Sequence, residues 1–466
     1  MKSPFVLSSG CPYISIVMNH SHRLFSLFAA IALPMAPAAA QDNAPQPGIN
    51  LPSMAPQPTV ASTLDWASDA DGLAAANHLI GLLETADLEG FGEGPMLAAQ
   101  ARGLLQQMAA GDAAAAASAD RLLTDAFLDY AEFLQSPVSS VLYGDDWARP
   151  PRMGRGVLLK NGQAVPSLEQ MVKSTLRINK LYDDLKQAAL SAELDDEQKA
   201  KVTASLNRVR AFPQRGRFVL VDSVTQRLWM FENGQVVDHM KVVVGDRNVA
   251  FQHTPEISSV IYYSTHNPYW HVPPHLVQKF ATKIRGGDKT FLSRNKYQVV
   301  DQFGDNSTVL DASKVNWAEV EKTGDLLIRQ LPSPLNSMGD IKFNFANPEG
   351  IYLHDTPTRE YFEAKYDNRR DQSNGCIRLE DAFRFGRWLW NGNLPDTAEI
   401  EKHFVIPEPV PVFVTYLTAN AVDGQLAFGT DIYNRDGATL AQVAARNARV
   451  ANGVTATQEA PVPTMR

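Results

Sequence analysis

Apolar positions along the chain change their spacing at Arg217. From about Trp66 to Tyr143 they recur at three and four residues. Leu122, Leu123, Ala126, Phe127, Tyr130, Phe133 and Leu134 form one stripe, and Ala113–Ala117 adds helix propensity. A second stripe of Leu168, Met171, Val172, Thr175, Ile178, Tyr182, Leu185 and Ala189 predicts one helix beginning after Pro166-Ser167. These stripes read as core. From Arg217 the period falls to two. Phe218–Asp222 and Arg227–Phe231 predict strands joined by a turn at Glu232-Asn233-Gly234-Gln235, and Val236–Val244 predicts a third strand ending at Gly245. Val410–Tyr416 predicts a late strand, and Phe383–Trp390 predicts a helix. Helices followed by many short strands imply an α+β chain with a sandwich or barrel core.

The flanks read differently. His22-Arg23, the apolar run Leu24–Leu33 and Ala38-Ala39-Ala40 have the form of an export signal, so residues 1–40 are expected to be removed. The run is short for a membrane span, which leaves a transient signal peptide as the expected membrane contact; a retained anchor is the competing reading. Either Met1 or Met18 serves as the start. Five prolines in residues 41–60 predict an extended linker. A chain of 466 residues with 44% hydrophobic and 20% charged residues accommodates two or three domains. Its net charge of −8 argues against nucleic acid as a partner.

The candidate chemistry lies in Ser373-Asn374-Gly375-Cys376-Ile377-Arg378-Leu379. Cleavage after Ala40 would remove Cys11 and leave Cys376 as the sole cysteine. A lone cysteine in an exported protein has no intramolecular disulfide partner, so a reactive thiol comes into question. His354, in Tyr352-Leu353-His354-Asp355-Thr356-Pro357, is the candidate base. The competing readings are a buried inert thiol and a strand histidine held by hydrogen bonds. One cysteine and scattered histidines give no zinc-ligand spacing, so no metal site and no cofactor are expected.

This His motif followed by Ser-x-Gly-Cys-Ile-Arg resembles the signature of L,D-transpeptidases with a YkuD-type catalytic domain, and the His-Asp-Thr-Pro form resembles their YcbB-like branch. Asn267-Pro268-Tyr269-Trp270, Arg329-Gln330-Leu331-Pro332, Ile341-Lys342-Phe343, Thr415–Ala419 and Asp431-Ile432-Tyr433 fit the same branch. The resemblance implies a helical scaffold domain (61–212) and a β-sandwich catalytic domain (213–440). A lid-like insertion spans about 274–335, with a packing subdomain as its alternative, and a C-terminal tail follows (441–466). A separate glycan-binding repeat is not expected, because the stretch between Ile178 and Asn207 is short.

The resemblance also implies a periplasmic, carbapenem-sensitive enzyme of peptidoglycan synthesis with no metal and no cofactor. Its partners would be donor and acceptor stem peptides and, beyond these, cell-wall synthesis proteins. Cys376 would be the nucleophile and His354 the general acid and base. The amides of Gly375 and Cys376 would form an oxyanion hole, for which glycine supplies the bend. Tyr352, Ser373, Asn374, Arg378 and Trp270 would contact substrate or shape its groove. Arg369, Arg370 and Arg378 are candidates for a basic pocket that takes a substrate carboxylate, with Arg369 more simply a surface charge. A cysteine hydrolase acting as an L,D-carboxypeptidase and a non-catalytic wall-binding protein are the alternatives.

Overall fold

The computed structural model describes residues 63–145, 148–150, 152–304 and 306–451. The expected signal, the linker and residues 452–466 of the expected tail lie outside them. The described residues belong to one compact unit. Twelve α-helices are found among the described residues: α1 (Ala70–Leu83), α2 (Gly94–Ala109), α3 (Ala113–Gln135), α4 (Arg155–Ala164), α5 (Leu168–Leu176), α6 (Lys180–Leu190), α7 (Asp196–Val209), α8 (Pro274–Arg285), α9 (Phe291–Arg294), α10 (Trp317–Thr323), α11 (Ala382–Leu389) and α12 (Asp436–Ala451). The strands are β1 (Leu142–Tyr143), β2 (Arg217–Asp222), β3 (Arg227–Glu232), β4 (Gln235–Gly245), β5 (Ile257–His266), β6 (Trp270–His271), β7 (Tyr297–Val300), β8 (Leu327–Gln330), β9 (Ile341–Phe345), β10 (Leu353–His354), β11 (Asp371–Ser373), β12 (Ile377–Leu379), β13 (Lys402–Thr415), β14 (Ala419–Val422) and β15 (Gln425–Phe428).

The helical half follows the apolar stripes, with one break. The helix expected across Ser167–Ala189 is two, because Asn179 adopts an extended conformation (φ −149°, ψ 166°). Its side-chain oxygen caps α6 at the Tyr182 amide (2.9 Å), and its amide nitrogen donates to the carbonyls of Val209 (2.9 Å) and Phe212 (3.1 Å). An N-cap of this kind stabilises a helix start by about 1 kcal/mol. The distant carbonyls reward the break further, and periodicity does not register them. Residues 180–209 are α6 and α7, the latter opened by an Asp195–Gln198 capping box.

Ten strands form one mixed sheet in the order β1-β5-β13-β2-β3-β4-β12-β10-β9, with β11 beside β4, and a further β5–β9 pairing closes it on itself; β14 and β15 pair separately. Of the sandwich and barrel forms, hydrogen bonding therefore selects the closed one. Val219, Leu228, Val242, Phe343, Leu353, Ile377 and their neighbours fill one core. The opposite face of β2 and β3 packs on the helices. Phe218, Leu220 and Phe231 belong to the same apolar cluster as Leu79, Phe127 and Leu206, so the helical and β-rich parts share a core. The turn at Asn233-Gly234 has positive φ at both residues (51° and 81°), as a tight hairpin requires. Strand β13 begins at Lys402, ahead of the expected Val410. Its register shifts between Val405 and Val410, where Pro407 and Pro409 have no N–H to give the ladder.

The expected boundary at 441 falls inside α12, so residues 441–451 are docked helix rather than tail. Arg446 pairs with Glu93 (2.6 Å) and lies over the Phe91 ring (4.4 Å). Arg208 of α7 is buried against Asp436 (2.6 Å) and Glu256 (2.7 Å) and donates to Thr439 (3.1 Å). One guanidinium thus ties the helices, the sheet and α12 together. Removing one partner of such a buried group strands the other charges. Arg208→Met is expected to lower the unfolding free energy by about 3 to 5 kcal/mol, read from urea denaturation. A loss below about 1 kcal/mol would show that this network is dispensable.

Candidate active site

Two very short strands assemble the site. β10 and β12 run parallel, with Leu353 opposite Ile377 and His354 opposite Arg378. The Ile377 amide donates to the Tyr352 carbonyl (2.9 Å), which sets Tyr352 beside Cys376. Leu353 and Ile377 point into the core. Alternation therefore puts Tyr352, His354, Cys376 and Arg378 on the other face. β9 extends the row, because Lys342 lies opposite His354. Cys376, two residues before Arg378, is thus the diagonal neighbour of His354 on the adjacent strand.

The loop before β12 is fixed by its own residues. Gly375 has φ +112°, a conformation that favours glycine, and a Cβ there would lie 3.2 Å from Ile351. Ser373 Oγ donates to the Cys376 carbonyl (2.6 Å) and accepts from the Gly375 amide (3.1 Å). This corrects the expected oxyanion hole: the Gly375 N–H is committed to Ser373. The Cys376 N–H has no partner among the described residues and is the donor left for an oxyanion. Asn374 is exposed, and its side-chain oxygen accepts from Gln252 (2.8 Å) and approaches His275 Nε2 at 3.5 Å.

Cys376 is partly exposed and its thiol donates to the Gly350 carbonyl at 3.7 Å. Among the described residues no hydrogen bond joins the thiol to His354. Apo sites of this kind often tighten only once substrate binds. Burial raises the thiol pKa, while the Tyr352 backbone and the Arg378 and Lys342 cations pull it down. His354 is buried, and its Nδ1 lies 2.5 Å from the Asp355 carbonyl. A carbonyl only accepts, so Nδ1 carries the proton in this contact. Burial, followed by the Arg378 charge, lowers the His354 pKa to about 3, against the pull of the Asp355 carbonyl. The resting pair is a thiol and a neutral imidazole.

The other candidates divide. Arg378 stays beside Cys376 with its guanidinium over the Tyr361 ring (5.8 Å). Lys342, which motif reading did not single out as a site residue, lies 5.3 Å over the Tyr352 ring and pairs with Glu401 (3.4 Å). Its place between apolar Ile341 and Phe343 was the available signal. Arg370 is not part of a carboxylate pocket. It is buried against Asp367 (2.6 Å) and the carbonyls of Val242 (3.3 Å) and Gln226 (3.2 Å). Arg369 is exposed. Trp270 is partly buried and packs against the core of the insertion, 6.2 Å from Tyr297. That core also takes Val277, Phe280, Phe291 and Ile328. Strands β6, β8 and β7 form a small sheet beneath α8 to α10, so the insertion is a packed subdomain that begins at β6. His275, near the start of α8, touches Asn374 and meets the exposed Phe251 edge-on at 5.2 Å. Among the described residues no group of three or more His, Cys, Asp or Glu is placed to hold a metal ion.

A thiol and an imidazole on one sheet face, with an unpartnered backbone N–H at the thiol's own residue, define a class: a site equipped for covalent acyl chemistry. Comparison with known proteins agrees in kind. Residues 216–400 match the family model of the L,D-transpeptidase catalytic domain, YkuD, and residues 63–188 match a scaffold-domain model. The chain carries a YkuD L,D-transpeptidase catalytic domain behind a helical scaffold domain. A Haemophilus influenzae protein named "Putative L,D-transpeptidase" is 25% identical over 334 residues, 68% of this chain and 66% of the relative. The match thus spans just under two thirds of that relative. An L,D-transpeptidase from Mycobacterium smegmatis aligns at 12% identity and TM-score 0.20, covering 43% of this chain and 58% of its own. L,D-transpeptidase 1 of Mycobacterium tuberculosis aligns at 14% and 0.19, covering 43% and 61%. At such TM-scores neither alignment bears on the chemistry.

The depressed imidazole pKa has a consequence for stability. The fold keeps His354 neutral down to about pH 3, whereas the unfolded chain protonates it near 6.5. Its contribution is complete above pH 6.5 and is lost as pH falls toward about 3. His354→Gln should therefore flatten the fall of the urea midpoint across that window. A midpoint that falls as steeply in the variant as in the parent would show that His354 is not held neutral.

Proposed function

We propose that this protein is a periplasmic peptidoglycan L,D-transpeptidase of the YcbB-like branch. The observation that carries the reading is the shared face of the Cys376 and His354 side chains, beside a Cys376 N–H that has no partner among the described residues, within a matched YkuD domain. The Cys376 thiolate attacks the carbonyl at the L-centre of diaminopimelate in a donor tetrapeptide. A C–S bond forms and the charge moves to the carbonyl oxygen, where the Cys376 N–H receives it. His354 takes the thiol proton and passes it to the departing amine, the C–N bond breaks, and D-Ala leaves. The amine of a second stem then attacks the thioester and gives its proton to His354. The new amide closes as the C–S bond breaks. Arg378 and Lys342 supply cations beside the thiol, which favour the thiolate and suit a substrate carboxylate.

Intact-mass spectrometry with a carbapenem should show one covalent adduct on the parent and none on Cys376→Ala. An adduct of equal yield on the variant would remove Cys376 from the reading. His354→Ala should keep the fold and lose on the order of 100- to 10,000-fold in turnover of tetrapeptide. A near-normal rate would place the base elsewhere.

Transfer rather than hydrolysis requires that water be kept from the thioester while the amine is held. The reach of the insertion to Asn374 through His275 supports a role for it there. A folded variant with the insertion shortened should yield more tripeptide and less cross-linked dimer from disaccharide-tetrapeptide. An unchanged dimer-to-tripeptide ratio would leave the insertion as packing alone.

A further inference from the structure

We propose that Thr254 is a positioning residue that aims the oxyanion donor through the nucleophile loop. The proposal rests on the acyl-transfer reading of Cys376. Thr254 is fully buried on the connection between β4 and β5. Its hydroxyl accepts from the Gly245 amide (2.8 Å) and donates to the Gly375 carbonyl (2.8 Å). The direction is fixed, because an amide only donates and a carbonyl only accepts. The Gly375 carbonyl and the Cys376 N–H belong to one peptide unit. A trans peptide is planar, with its C=O and N–H pointing to opposite sides. Holding the carbonyl toward Thr254 therefore turns the Cys376 N–H away from it, and that N–H is the donor the loop leaves free. Glycine at 375 has the softest backbone of any residue, so an external hold on this peptide is needed.

Thr254 is itself anchored. Pro255 follows it and favours an extended backbone at Thr254. Arg435 donates to its carbonyl (2.8 Å), and Tyr433 donates to the Gly245 carbonyl (2.7 Å). Gly245 makes the close approach possible: a Cβ there would lie 1.8 Å from the Gln252 carbonyl. Gln252 holds the same loop one residue earlier, at Asn374 (2.8 Å). Among the described residues the hydroxyl has no hydrogen bond to the thiol or to His354, so its effect on the nucleophile loop passes through the Gly375–Cys376 peptide.

The test separates acylation from alkylation. Acylation of Cys376 by p-nitrophenyl acetate forms a C–S bond, expels p-nitrophenolate and passes through an oxyanion. Alkylation by iodoacetamide forms a C–S bond, expels iodide and builds no oxyanion. In Thr254→Val we expect acylation to fall on the order of 100-fold while alkylation stays within about twofold of the parent. Thr254→Ser, which keeps the hydroxyl, should restore acylation. A purely structural role would slow both reactions together or neither, and either result overturns the proposal. Thr254→Ala serves if the valine variant does not fold. If neither folds, the hydroxyl is a requirement of folding and the proposal fails. The model ester needs no peptidoglycan. A parent that acylates with this split yet forms no cross-links would refute the proposed function and leave the role of Thr254 standing.

Discussion

The parallel pairing of β10 with β12 is the constraint on which the rest depends. The paired segments are only two and three residues long, Leu353–His354 and Ile377–Leu379. So short a ladder cannot hold itself in place. Burial of Leu353 and Ile377 in the sheet core supplies the hold and sets which side chains face outward. A slip of one residue would turn Cys376 inward and Ile377 toward the cleft. Flanking contacts oppose that slip. Asn347 bonds both the amide (2.8 Å) and the carbonyl (2.9 Å) of Ile351, and Asp355 accepts from the Asp340 amide (3.0 Å) and pairs with Arg359.

The same burial shapes the electrostatics. Burial of His354 removes water from it and makes the charged imidazole costly. The nearby Arg378 raises that cost for the imidazolium and lowers it for a thiolate. A resting thiol and a neutral base both follow from burial, which the neighbouring cations reinforce at the imidazole and oppose at the thiol.

The parts far from the cleft connect to it through backbone rather than through substrate contacts. Arg208 joins α7 to Glu256 and to α12, and Arg435, one residue before Asp436, holds the Thr254 carbonyl. Helix α12 therefore bears on both the scaffold and the connection that carries Thr254. A cut between scaffold and catalytic parts at 212 would divide a shared core, because Phe218 and Phe231 stack at 4.4 Å within the helical cluster.

The sequence by itself singled out Cys376 and His354 as the candidates for chemistry, through a lone thiol, a histidine able to serve as its base and the resemblance of their motifs. The stripes of the helices are local patterns, and α3 follows from them. The hairpin at Asn233-Gly234 was legible for the same reason: backbone strain at a turn is answered by the residues in that turn. Tertiary structure decided what depends on partners distant along the chain. Asn179 breaks a helix because carbonyls near residue 210 reward it. Arg370 turns inward to Asp367 and to main-chain oxygens of Gln226 and Val242, and Trp270 packs against the core of the insertion. The oxyanion donor is the sharpest case. Two neighbouring amides look equivalent in sequence, and only the folded loop commits Gly375 to Ser373 while leaving Cys376 free. Periodicity reports which face a residue takes; the partner its polar atoms meet is set by segments that folding brings together.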